Sequence, residues 1–205
     1  MKSKGYILSI FLFLIIIIAY FKYQTGFMAD LLFSIFLVVV LYFLYKRLRL
    51  NSLTYSLVCL SLILHNLGAF GFYNSFIVPY DYITHFVGIF SITFVIANFL
   101  SSDLSRDHKL RTRDIVILFL VVLAGLGIGS LVETIEFGGY LAWGKGEGFF
   151  QFGTGDYEIL GQEAHLVDIV GGGYFDAMWD LIVNLLGALC AVLSYGAWWF
   201  CRKSA

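Results

Sequence analysis

Charge is scarce in this 205-residue chain: Lys, Arg, Asp and Glu together make up 13% of it, about half the share of a soluble domain. The net charge is −1, so nothing in the overall balance points to nucleic acid. There is one proline, and no internal repeat or second domain is visible. The 3 cysteines, Cys59, Cys190 and Cys201, lie far apart in or beside apolar runs, which excludes a CxxC motif and a disulfide framework. HExxH, GxSxG, Walker and Ser–His–Asp patterns are all missing. What the chain has instead is apolar surface. Hydrophobic residues make up 60% of it and the mean hydropathy is +0.87. Those values exclude a disordered chain and argue against a soluble enzyme.

Six apolar segments approach the ~20 residues needed to cross the hydrocarbon core: 6–22, 29–46, 53–72, 81–100, 114–138 and 177–200. They predict a single all-α integral membrane domain, a polytopic bundle of six transmembrane helices. The first segment has no small-x-small cleavage site and reads as a retained anchor rather than a signal peptide. With the N-terminus inside, 11 of the 13 basic residues fall on the cytoplasmic side, and only Lys22 and Lys145 fall outside. This positive-inside bias predicts cytoplasmic N- and C-termini. The acids sort the other way, with 11 of 14 in the outer half or beyond, a face that attracts cations. A glycine-rich segment, 139–176, containing Phe149, Phe150, Phe152 and His165, reads as a long external loop and a lid over an outward-facing site. Gly125-x-x-x-Gly129 and Gly187-x-x-x-Ala191 are small-residue pairs that let helices approach closely.

Ionisable residues inside spans are costly, at least about 2.5–3.5 kcal/mol each at a helix centre, and are functional candidates by default. The third span carries His65. The fourth carries Asp81 and His85, the fifth Glu133 and Glu136, and the sixth Asp176 and Asp180 with Asn184 one turn on. Spacings of three and four put each set on one helical face. Helices three and five run outward and four and six inward, so His65, His85, Glu133 and Asp180 all fall roughly 7–12 Å below the outer boundary. Simpler roles exist for several of them. Asp81 and Asp176 suit helix N-caps, His65 a packing histidine, Glu136 the outer interface, and Asn184 an interhelical hydrogen bond. Two imidazoles and several carboxylates in one layer suit a divalent metal such as zinc, manganese or iron, or a proton relay.

At these residues the chain resembles a known family. "YDYITHFVGIF", "GSLVETIEFGGYLAWG" and "DAMWDLIVNLLGAL" are similar to the YjdF-type inner-membrane proteins and, more distantly, to VanZ-like membrane proteins. The shared pattern is D-x-x-x-H on one helix, E-x-x-E/Q on the next, and D-x-x-x-N-x-x-G on the last. Here it falls on Asp81 and His85, Glu133 and Glu136, and Asp180, Asn184 and Gly187. His65 in "LHNLGAFGFYN" fits as well. Where the family carries dTqGDxWD, this chain reads "GGGYFDAMWD". The resemblance covers about residues 60–195 and implies an inner-membrane location and cell-envelope biology.

Three functions fit this sequence. The first is a metal-dependent membrane hydrolase or transferase acting on a lipid or lipid-linked envelope substrate. His65, His85, Glu133 and Asp180 are its candidate metal ligands. Asp81, Glu136 and Asp176 are candidate bases or supporting groups, and Asn184 is an orienting residue. The second is an ion- or proton-coupled transporter or channel. It requires a homo-oligomer, because 205 residues leave no inverted repeat of the usual transporter kind. The third is a non-catalytic assembly or interaction protein.

Overall fold

A computed structural model describes residues 2–22, 28–68, 80–101, 104, 111–143 and 166–204. Among these residues all regular structure is helical. The six helices are α1 (Lys2–Lys22), α2 (Met28–Leu44), α3 (Ser52–Gly68), α4 (Tyr80–Leu100), α5 (Thr112–Trp143) and α6 (Leu166–Ser204). Four contain stretches long and apolar enough to cross a membrane: Ser3–Tyr20, Tyr80–Leu100, Thr112–Gly138 and Ala177–Trp199. The apolar stretches of the other two, Leu31–Leu44 and Ser52–Gly68, are shorter. Phe13, Phe36, Phe43, Phe119 and Leu193 are all more than half exposed, an outer surface suited to lipid rather than water.

The helices form two groups that meet at α3 and α4. In the first, α1 packs on α2 and α3, burying Phe11, Ile15 and Ile18 of α1 with Leu31, Val38 and Leu41 of α2 and Tyr55 and Val58 of α3. In the second, α4 and α6 share the most extensive contact, and α5 lies against both. α6 buries one narrow stripe: Asp180, Asn184, Gly187, Ala188, Ala191 and Tyr195. The spacing of three and four is the helical period, and the small residues in the middle let α4 come close. α5 does the same with Val121, Gly125, Gly129 and Glu133, all buried. A Cβ at Gly187 would sit 2.7 Å from the Phe86 carbonyl oxygen, and one at Gly125 would collide with the Thr93 hydroxyl. Both small-residue pairs seen in the sequence lie on buried helix faces.

Polar side chains join the two groups. Asn98 of α4 donates to Thr54 Oγ1 of α3 at 2.8 Å, Ser91 donates to the Leu57 carbonyl, and the Tyr80 hydroxyl donates to the Leu64 carbonyl at 2.7 Å. Within the first group, Asn66 of α3 donates to Ser34 Oγ of α2 at 2.8 Å. In an apolar surrounding each such bond is worth about 0.6–1.7 kcal/mol. Asn51 caps α3 through Thr54 N–H. Asp114 reaches back to Arg111 N–H at the start of α5, half of a capping box. After α2, Leu50 N–H bonds the Tyr45 carbonyl and Arg49 N–H the Lys46 carbonyl. This is a Schellman motif, with Arg49 at φ 54° in the left-handed position.

Two expectations change. α5 has 32 residues and α6 has 39, about 48 and 58 Å of helix, well beyond the ~30 Å core. Their ends extend into the segment read as loop, so 139–143 and 166–176 are helical and only 144–165 stays between them. The Phe149–Phe152 patch, His165 and the lid lie outside the described residues. Asp176 is therefore no N-cap. α6 begins at Leu166, so the Asp176 backbone is already helical and its amide has a partner one turn back.

Candidate functional site

The polar layer forms where the start of α4 meets the end of the apolar part of α5 and the first half of α6. His85 is its centre. Its Nε2 lies 3.4 Å from Asp81 Oδ1 on the same helix, as the i, i+4 spacing requires. Its Nδ1 lies 2.9 Å from Glu133 Oε1 on α5. Asn184 Nδ2 of α6 donates to the same Glu133 oxygen at 2.9 Å. Gly129, one turn before Glu133, makes room for Asn184: a Cβ there would stand 2.9 Å from Asn184 Nδ2 and 3.0 Å from its Cγ.

Two groups of ligating atoms share His85. Asp81, His85 and Asp180 each offer an atom within 4.8 Å of the others, and so do His85, Glu133 and Glu136. Glu133 is 3% and Asp180 1% exposed, while His85 and Asp81 are 14% and 24% exposed. The cluster is therefore deep on the α5–α6 side and opens toward Asp81. Asp180 is the anomaly. Neither of its carboxylate oxygens, nor Asn184 Oδ1, has a hydrogen-bond partner, and its polar neighbours are two acids, Asp81 and Glu133, and His85. Two carboxylates with oxygens within 4.8 Å of each other repel when both are ionised. A cation or a shared proton removes the repulsion.

Among the sequence candidates, the layer brings together Asp81, His85, Glu133, Glu136, Asp180 and Asn184. His65 lies within electrostatic reach of Asp81 but outside both ligating groups. Tyr80 anchors the start of α4 to the end of α3 through its hydroxyl on the Leu64 carbonyl, beside the sequence neighbours Asp81 and His65. The Asp176 side chain lies outside the described residues. Tyr82 stacks on Trp179 with centroids 6.3 Å apart, and Phe137 meets Tyr174 edge-on at 6.2 Å. Tyr82, Trp179 and Tyr174, neighbours in sequence of the layer's acids or on the same helices, are amphipathic rings suited to a membrane interface.

Long apolar helices around a buried carboxylate–imidazole layer define an all-α integral membrane protein. A family model described as "Predicted membrane protein (DUF2238)" matches residues 4–202, and the chain belongs to that family. No curated protein and no solved structure matches it.

Proposed function

We propose that this protein is a metal-dependent enzyme of the cell envelope, a hydrolase or transferase acting on a lipid or lipid-linked substrate. In this reading it is a YjdF-type inner-membrane protein with six spans, cytoplasmic termini and the polar layer facing outward. The observation that carries the metal is Asp180, a buried carboxylate without a donor that faces Asp81 and His85. Asp81, His85 and Asp180 each offer an atom within 4.8 Å of the others, which supports them as the ligands. His85 Nδ1 lies at hydrogen-bond distance, 2.9 Å, from Glu133. Glu133, itself held by Asn184, would orient the imidazole and leave Nε2 for the metal. A metal held there supplies a Lewis acid and an activated water. Glu136, the remaining acid in the layer, is the candidate base. The aromatic rings of Tyr82, Trp179 and Tyr174 suit an amphiphilic substrate entering from the interface.

The test of this reading is the metal content of the purified chain, together with its dependence on chelator. Wild-type protein that keeps its full function after exhaustive chelation would rule it out. Glu133→Gln keeps the size and an acceptor oxygen but removes the charge opposite Nδ1. It is expected to weaken metal affinity by about 10–100-fold, read by competition with a chromophoric chelator. An unchanged affinity would remove Glu133 from the orienting role.

A second reading rests on the fact that both nitrogens of His85 face carboxylates. The chain Asp180, Asp81, His85, Glu133 is also a path for protons or cations. Flux in sealed vesicles, lost in His85→Ala and unaffected by chelator, would favour it over the enzyme. The orientation has its own check. A cysteine placed at Thr154 is expected to react with an impermeant maleimide in intact cells. Labelling only after lysis would invert the topology.

A further inference from the structure

A cavity of about 440 Å³ lies at the other end of the bundle from the polar layer. Asn98 is 13 residues beyond His85 on α4, which places the cavity ~20 Å away. Its walls are Arg49, Asn51, Asn98, Tyr195, Trp198 and Trp199, and among the described residues that line it none is acidic. The base is rigid. Asn98 is 4% and Tyr195 1% exposed, and Asn98 is held by Thr54 and by the Phe94 carbonyl. Asn51 is fixed as the cap of α3, so its amide nitrogen points to Asn98 at 3.4 Å beside the positive end of the helix.

Arg49 is the unusual member. The position it fills, after α2, takes glycine by preference because φ is positive there, and Arg49 adopts φ 54°. Its side chain is exposed at the rim of the cavity. Its guanidinium forms no ion pair among the described residues. Lys46 and Arg47 stand in the same turn and add to the positive field. A volume of 440 Å³ lies within the range of small-ligand pockets and exceeds a bare phosphate. Trp198 and Trp199 offer apolar walls, a composition suited to the membrane interface.

We propose that this cavity binds a phosphate-bearing anion, with Arg49 as its charge partner and Trp198 and Trp199 as its walls. The phosphate belongs either to an anionic phospholipid headgroup or to a small soluble phosphate. The site is independent of the metal reading. The test uses the full chain in detergent, with Trp143 and Trp179 replaced by Phe so that the fluorescence reports Trp198 and Trp199. It is titrated in parallel with inorganic phosphate, short-chain phosphatidylglycerol and short-chain phosphatidylcholine. A saturable response to phosphatidylglycerol alone identifies the headgroup, and an equal response to inorganic phosphate identifies the soluble anion. Arg49→Gln and Arg49→Gly are each expected to weaken binding by about tenfold or more, and Arg49→Lys by less. Arg49→Gly relieves the backbone at φ 54°, so a folding defect cannot account for its loss. Wild-type affinity in both the Gln and Gly variants, equal binding of phosphatidylcholine, or no saturable response to any probe overturns the proposal.

Discussion

Purified without chelator, the wild-type chain is expected to hold about one equivalent of zinc, manganese or iron, and His85→Ala to hold less than about a tenth of that. His85 is shared by both groups of ligating atoms, so its loss removes the nitrogen ligand common to them. Asp180→Asn should be nearly as severe. It keeps the volume of a side chain that is 1% exposed but removes the charge that a metal would neutralise. Asp180→Leu separates two accounts of the residue. If Asp180 serves only helix packing, an apolar side chain of similar size is neutral or stabilising, and the protein has no metal to lose. If Asp180 is a ligand, the same variant melts no lower than wild-type apoprotein and yet is metal-free. Elemental analysis with a melting curve in detergent reads both quantities. Wild-type protein without metal, with His85→Ala costing only ~1–2 kcal/mol, would leave the layer as interhelical glue or a proton path.

The second large effect lies two turns from Asp180. Gly187→Leu is expected to separate α4 from α6 and to abolish metal binding together with stability. A Cβ at this position would lie 2.7 Å from the Phe86 carbonyl oxygen and 3.4 Å from the Phe90 nitrogen. Both atoms are helix backbone, which cannot rotate aside as a side chain can. Gly187→Ala alone should cost about 1–3 kcal/mol by overpacking, and Leu more. Phe86 adjoins His85 in sequence, so a displacement at Gly187 moves the imidazole away from Asp180. Gly127 is the control: nothing lies within 4 Å of a Cβ there, and Gly127→Ala should be neutral or stabilising by up to about 1 kcal/mol. Melting temperature and metal content measured on the same preparations check this. Gly187→Leu protein with wild-type melting and metal content would mean that α4 and α6 do not approach as described.

The sequence by itself determined that the chain is helical and apolar, where its helices lie, and which polar residues share a depth. Apolar length and the 3.6-residue period dictate these properties locally, so Asp81 and His85 had to share a face, as did Asp180 and Asn184. It also marked Gly125, Gly129 and Gly187 as places of close approach. Tertiary structure decided who touches whom. The period fixes a residue's face but not the rotation of one helix against another, and that rotation is set by contacts such as Gly187 on the Phe86 carbonyl. It put Asp81 and Glu133 on opposite nitrogens of His85, left His65 beside both groups rather than within them, and set two acids, Asp81 and Asp180, against each other. Helix ends were equally hard to read. Gly171, Gly172 and Gly173 look like loop, yet α6 runs through them, because the extension of an already formed helix costs far less than its nucleation. The cavity at Arg49 had no signature in the chain at all. Its walls come from three stretches far apart in sequence, 49–51, 98–101 and 195–199, and only packing gathers them around one space.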